Sequence, residues 1–175
     1  QGFPKSRSLL AGNTAFNPSS FDSIASATFT GGSFTLTSIP QTYKHLQMRG
    51  FYIPSSSGST ASVRYNGTSG TYAHLLSANA STVAATSVAT TMSIESSSGV
   101  LSGYPVAFII DVLDYSDTTK NKTFRAIVGQ DVNGTDGQIT LSSGFKADTT
   151  AITTLGMTSL TTSAAVTVAL YGIKG

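Results

Sequence analysis

The sequence predicts an all-β protein, an antiparallel β-sandwich of jelly-roll-like type with an extended N-terminal arm. Short runs rich in β-branched and aromatic residues recur along the chain between Gly, Asn, Ser and Pro, as they do in sandwiches and barrels. Several runs alternate apolar and polar residues, which is the period of a strand with one buried face. No stretch shows the period of a helix. A length of 175 residues favours one domain, which we place at residues 21 to 175 after an arm of residues 1 to 20.

The arm has neither the helical nor the strand period, and it contains Pro4, Gly12 and Pro18. Such a segment needs a surface to hold it. It could fold onto its own domain or latch onto a neighbouring subunit. We predict an extended arm that contacts another chain at least in part, anchored by its apolar residues Phe3, Leu9, Leu10 and Phe16.

Alternation identifies the strands most clearly where Phe34 and Leu36 share one face and where Val166, Val168 and Leu170 share another. Thr is frequent in these runs because its branched Cβ suits a strand while its hydroxyl can face water. The predicted strands are residues 23–30, 33–39, 45–53, 61–66, 71–77, 89–95, 105–115, 122–129, 137–145, 151–156 and 164–173.

The run PVAFIIDVLDYS, residues 105–116, is apolar on both faces up to Asp111, which predicts a central strand covered on both sides. Turn chemistry predicts hairpins at residues 30–33 and 132–137, where Gly and Asn accept the positive φ of tight turns. Residues 78–91 are mainly Ala, Ser, Thr and Val, and they fit either a long polar loop or a weak edge strand.

The composition excludes several classes of function. There is no Cys, so thiolate catalysis, Cys-based zinc sites, iron–sulfur clusters and disulfides are excluded. Charged residues are only 10% of the chain, and 27 Ser and 26 Thr supply the polar surface instead. The ten Lys and Arg are spread from end to end rather than clustered, which argues against a nucleic-acid partner. The longest apolar run, residues 106–110, is far shorter than the roughly 18 residues of a membrane span.

The residues that could carry chemistry do not form a recognisable site. Asp111 and Asp114 are predicted to point to opposite faces of one strand, which argues against a carboxylate dyad. The segment DVNGTDG, starting at Asp131, begins like a calcium loop but lacks the later ligands, so we interpret it as a hairpin turn. His45 and His74 have no Cys to complete a zinc set. We therefore predict no catalytic residue, no metal site and no cofactor.

Three stretches resemble a known group of proteins. SIPQTYKHLQMRG, residues 38–50, resembles the SIP-x-TYKHLQ-x-RG element near the start of small β-rich virion proteins of tailed phages, especially phages of cyanobacteria and other marine bacteria. The closing LYGIKG, residues 170–175, resembles the terminal strand of the same group, and the FDSIA stretch from Phe21 is similar to the start of its first strand. The resemblance implies a structural component of the head or tail, and it transfers no catalytic residues.

The first of these stretches also has a physical interpretation. Pro40 interrupts a strand ladder because it has no amide hydrogen, and residues 41–44 turn the chain. This predicts a corner of the sandwich in which Tyr43 and Leu46 pack together, and a structural corner is favoured over a binding site.

The expected function is a non-enzymatic structural protein on the outer surface of a tailed-phage virion, either a capsid decoration or cement protein or a small tail appendage. The alternative is a receptor- or glycan-binding tail-fibre module that recognises a host surface glycan with its Tyr side chains or with the segment 78–91. The expected partners are other virion proteins and further copies of the chain, because open sheet edges with few charges need cover. The resemblance favours a trimer among the symmetric homo-oligomers.

Overall fold

The computed structural model describes residues 20–58, 60–69, 72–79, 83–88, 91–95, 100–134, 136–160 and 165–175. In these residues the chain forms strands and connecting turns, without a helix, and it builds two antiparallel sheets that pack against each other as a β-sandwich. This confirms the predicted fold class, whereas the jelly-roll order of strands stays a prediction. The strands are β1 (Phe21–Phe29), β2 (Phe34–Leu36), β3 (His45–Tyr52), β4 (Ser62–Tyr65), β5 (Thr68–Ser69), β6 (Tyr72–Asn79), β7 (Val83–Val88), β8 (Met92–Ser93), β9 (Val106–Leu113), β10 (Lys122–Asp131), β11 (Gly137–Lys146), β12 (Leu155–Thr158) and β13 (Val166–Ile173).

The larger sheet has eight strands in the order β1-β13-β3-β9-β10-β11-β6-β7. The smaller sheet has the order β2-β12-β4-β5, and β8 pairs with β4 as its fifth strand. The two sheets enclose one core, because the buried side chains of both belong to a single hydrophobic cluster. The largest contributors from the larger sheet are Leu46, Met48, Tyr52, Ile110 and Phe124, and those from the smaller sheet include Tyr65, Met92 and Leu155.

The predicted hairpin at residues 30–33 is wrong. Phe29 pairs with Val166 in the larger sheet, whereas Phe34 pairs with Met157 in the smaller one. The turn, with Gly31 at φ 102°, therefore carries the chain from one sheet to the other, and the rings of Phe29 and Phe34 stack with centroids 5.0 Å apart. The turn residues were recognised correctly, but turn chemistry alone does not say which strands pair.

The second predicted hairpin is confirmed, because β10 and β11 pair from Asp131 and Gly137 onward. Of the two interpretations of residues 78–91, the edge strand is confirmed for the described residues 83–88, because β7 pairs with β6 and ends the larger sheet. The short strand β5 was not predicted, and it pairs with β4 through only two residue pairs.

The corner at residues 38–50 is held from three sides. Gln41 Nε2 donates to the carbonyls of Ile39 and Ile152, both at 2.9 Å, and the Tyr115 hydroxyl donates to the carbonyl of Pro40. The Tyr43 ring lies so close to Gly172 that a Cβ there would come within 2.3 Å of ring carbons. The corner therefore depends on a glycine in the last strand.

A buried lysine organises the turn between β9 and β10. Lys122 is fully buried, and its ammonium donates to the carbonyls of Asp114 (3.4 Å), Asp117 and Lys120 (3.2 Å). Asp117 Oδ1 accepts the amide hydrogen of Thr119 at 2.7 Å, which closes the turn. Desolvation lowers the pKa of Lys122, but the carbonyl oxygens satisfy its donors.

Candidate functional site

The site is built on the face of the larger sheet that points away from the smaller sheet, here called the outer face. Strand registers align five outward side chains in one cross-strand row: Ile109 of β9, Ile127 of β10, Leu141 of β11, Leu76 of β6 and Ala85 of β7. The four large side chains are 41–53% exposed. An apolar row of this length is unusual on the surface of a monomer.

Above this row the outer face is hollowed into a groove of about 610 Å³, lined by the five residues of the row and by neighbouring side chains. This volume is in the range of sites that enclose several side chains or a small molecule. The groove therefore combines an apolar floor with a concave shape.

Strand β11 shows that the apolar character of this face is not a by-product of the core. Its inward residues Thr140 and Ser142 are buried, whereas its outward residues Ile139, Leu141 and Phe145 are 38–51% exposed. A strand with one face in water normally has the opposite arrangement. The inversion indicates that the outer face needs a cover.

A polar row runs along one side of the groove and consists of Asp111, Arg125, Ser143 and His74 on neighbouring strands. Arg125 and Asp111 form an ion pair at 3.5 Å, and Gln47 Nε2 donates to the same carboxylate at 2.7 Å. The carboxylate of Asp111 is thus already paired within the sheet.

This polar row does not have the geometry of a Ser-His-Asp triad. Ser143 and His74 are directly opposite each other, but the Ser143 hydroxyl donates to the carbonyl of Phe124 at 3.2 Å. Asp111 is three strands away from His74, about 14 Å at the usual strand spacing, which is too far to orient the imidazole.

The other residues considered from the sequence lie in different places. Asp114 is beyond the end of β9, where Lys44 (3.2 Å) and Lys120 (3.3 Å) pair with it and hold its pKa below the usual range. Asp111 and Asp114 therefore have different partners and form no dyad. His45 Nδ1 accepts the amide hydrogen of Asp114 at 3.0 Å, far from His74 in the sheet.

Asp131 has the local role expected of a turn residue, because its Oδ1 accepts the amide hydrogen of Asn133 at 2.8 Å. Across the described ranges, no group of three His, Asp or Glu side chains is placed to hold a metal ion. The predicted contact residues Phe3, Leu9, Leu10 and Phe16 lie outside the residues that the structure describes.

One prediction concerns the groove directly, and it is wrong. β9 is central in the larger sheet, as expected, but it is covered on one side only: Ile110 is fully buried, while Ile109 is 41% exposed. The reason is that the smaller sheet packs against one face of the larger sheet. The sequence contains the signal, a large apolar residue at an outward position in four strands and Ala85 in a fifth, but those positions align only once the register is known.

Comparisons with known proteins do not extend this description: no protein-family model, curated protein or solved structure matches the chain. Among the described residues, none belongs to a helix with the length and hydropathy of a membrane span.

Proposed function

We propose that the protein is a non-enzymatic structural subunit on the exterior of a tailed-phage virion, either a capsid decoration protein or a small tail appendage. The apolar outer face carries the proposal, because a face of this kind is suited to binding another protein surface. The resemblance of residues 38–50 and 170–175 to small virion proteins supplies the biological setting.

The outer face can supply a useful binding free energy. Four large aliphatic side chains in the row are about half exposed. Complete burial of such a side chain contributes about 1.5–3 kcal/mol, so covering the exposed halves of four would contribute about 3–6 kcal/mol. Association itself costs about 4–15 kcal/mol, so this row would supply a part of the binding free energy, and repeated contacts around a symmetric assembly would add to it.

The composition supports the same role. A chain with 10% charged residues and no Cys has few groups that repel a neighbouring copy and no thiol to oxidise. We propose a symmetric homo-oligomer, with a trimer favoured by the resemblance, that also contacts other virion proteins.

The lining of the groove favours this role over the glycan-binding alternative. Sugar rings stack on the large faces of Phe, Tyr and Trp, and none of these three residue types is among the described residues that line the groove, which are aliphatic, hydroxyl-bearing or charged apart from the imidazole of His74. A glycan-binding role would need a site elsewhere on the molecule.

The test is to locate the protein in particles of the phage that encodes it. Antibodies against the recombinant chain, visualised by electron microscopy on purified particles, should label the head or tail exterior. A chain that is made during infection but is missing from purified particles would refute the proposal. Specific binding in a glycan array would instead support the tail-fibre alternative.

A further inference from the structure

We infer that the groove on the outer face binds the N-terminal arm of a second copy of the chain, with Leu10 and Phe16 facing the apolar row. This inference deepens the proposed function, on which it rests, by naming the partner of the groove. The occupant has to match four properties of the structure: the shape of the groove, its width, its charge and its distance from the start of β1.

The shape requires a narrow occupant. The groove is concave, so the same face of a second copy would leave two hollows opposite each other rather than fill either one. An extended chain segment can lie inside a groove about 610 Å³ in volume, and it can place alternate side chains on the floor.

The length of the apolar row, measured across the strands, matches the distance between two arm residues that are six positions apart. The row from Ile109 to Ala85 crosses five strands, which is four strand spacings or about 19 Å. Six residues of extended chain span about 20 Å, and residues an even number apart point to the same side. Leu10 and Phe16 are six residues apart, so both can contact the row at its two ends.

The charge of the intervening residues distinguishes the pair Leu10 and Phe16 from a second pair with the same spacing. Phe3 and Leu9 are also six residues apart, but Lys5 and Arg7 point to the same side between them. That register would press two cations onto aliphatic side chains, which costs free energy. Between Leu10 and Phe16 the same side carries only Gly12 and Thr14.

The distance from the arm to the groove disfavours the chain's own groove for Phe16, because only a fully extended linker would bring Phe16 close to the apolar row. Phe21 is in the same cross-strand row as Ile173 and His45, and this row reaches β9 three strands away. On β9 the row lies about four residues from Ile109. This separation is about 20 Å, whereas the five residues from Phe16 to Phe21 reach at most about 18 Å.

The direction of the chain at the start of β1 also favours the groove of a neighbouring copy. The amide hydrogen of Lys174 bonds to the carbonyl of Ser20 at 3.2 Å, so the ladder continues past the start of β1. If the arm continued straight from Ser20, it would pass beyond the end of the sheet on the side away from the apolar row. The arm would have to reverse direction to return to its own groove.

An arm in a neighbour's groove joins two different surfaces of identical chains. Such a contact passes from one copy to the next and closes when the copies form a ring. The proposed trimer is one such ring, in which each copy gives one arm and receives one.

The test uses light scattering of full-length variants. The unaltered chain should be an oligomer, and Phe16→Asp and Ile127→Asp should each be monomers of about 18.0 kDa. Phe3→Asp and Phe51→Asp should remain oligomers. In an extended arm with Leu10 and Phe16 on the groove, Phe3 would point to the opposite side. Phe51 is on the outer face but outside the groove, and it is 47% exposed against 53% for Ile127.

Mixing the Phe16→Asp and Ile127→Asp variants tests directly whether the arm of one chain binds the groove of another. Phe16→Asp retains an intact groove and Ile127→Asp retains an intact arm, so the two monomeric variants should form a dimer held by one contact. Leu76→Asp replaces Ile127→Asp if the latter does not fold by circular dichroism. A monomeric unaltered chain, or a mixture that remains monomeric, would overturn the inference. Loss of the oligomer in the Phe3→Asp or Phe51→Asp control would also overturn it. The virion proposal is judged separately, by labelling of particles.

Discussion

The two faces of the eight-stranded sheet are made from the same strands, yet they have opposite environments. On β9, Phe108 and Ile110 are almost completely buried, while Ile109 between them is 41% exposed. On β11 the contrast is inverted, with Ser142 buried and Leu141 exposed. The difference lies in the cover, because the smaller sheet packs on one face only. An apolar residue on a strand therefore shows that a face needs cover, without showing that the chain itself provides it.

The largest test of this comparison uses two neighbouring residues of the same type. Ile110→Ala should lower the free energy of unfolding by about 2–5 kcal/mol, because it leaves a cavity in the core. Ile109→Ala should lower it by less than about 1 kcal/mol in the isolated subunit, because the side chain is half exposed already. Urea unfolding of both variants, in a background that carries Phe16→Asp to prevent assembly, measures the difference. Equal losses would mean that the two faces are equally covered.

The second test concerns the Glu95 carboxyl group, which is buried on the side of the larger sheet that the smaller sheet covers. Glu95 accepts hydrogen bonds from the Tyr52 hydroxyl and from the Ala61 amide (3.2 Å), but desolvation outweighs them and raises its pKa from 4.5 to about 7. The folded state therefore holds this proton after the unfolded chain has released it. Stability should fall by about 3 kcal/mol as the pH rises from about 4.5 to 7, and it should then level off for this group.

The matched variant for this prediction is Glu95→Gln, which retains the shape of the side chain and removes the charge. Unfolding midpoints at pH 5 and pH 7.5 should differ less in the variant than in the unaltered chain. If both proteins show the same dependence on pH, Glu95 is not its source.

A smaller effect on the free energy of unfolding is expected from Gly→Ala substitutions at two positions, one on each face of the larger sheet. Gly172→Ala should cost about 1–3 kcal/mol, since the added Cβ would collide with the Tyr43 ring. Gly129 is on the outer side of β10, where the nearest atom to an added Cβ would be the Gln138 carbonyl oxygen at 3.9 Å. Gly129→Ala should therefore change stability by less than about 1 kcal/mol. Thermal melts of the two variants should rank them in this order, and the reverse order would contradict the assigned packing of the corner.

The fold class followed from local patterns, but the site did not. The alternation at Val166, Val168 and Leu170 and the turn at residues 132–137 are properties of adjacent residues, and both predictions are confirmed. The turn residues at 30–33 predict a hairpin, because the local sequence does not reveal that the next strand joins another sheet. The apolar row on its floor depends on residues up to 65 positions apart, from Leu76 to Leu141, which meet only through the register of several strands.

The most direct measurement is a disulfide cross-link between the arm and the groove of two different chains. The chain has no Cys, so any disulfide that forms must involve the introduced cysteines. Thr14→Cys lies near the middle of the proposed arm register and Leu141→Cys lies on the middle strand of the groove, so the pair is close whichever way the arm runs. Ser26→Cys, exposed on the outer side of the edge strand β1, is the control partner.

Chains carrying tags of different size are mixed and oxidised. We expect a mixed disulfide between Thr14→Cys and Leu141→Cys that forms much faster than the one between Thr14→Cys and Ser26→Cys. Equal rates for the two pairs, or no mixed product with Leu141→Cys, would contradict the claim that the outer face is covered by the arm of a neighbouring copy.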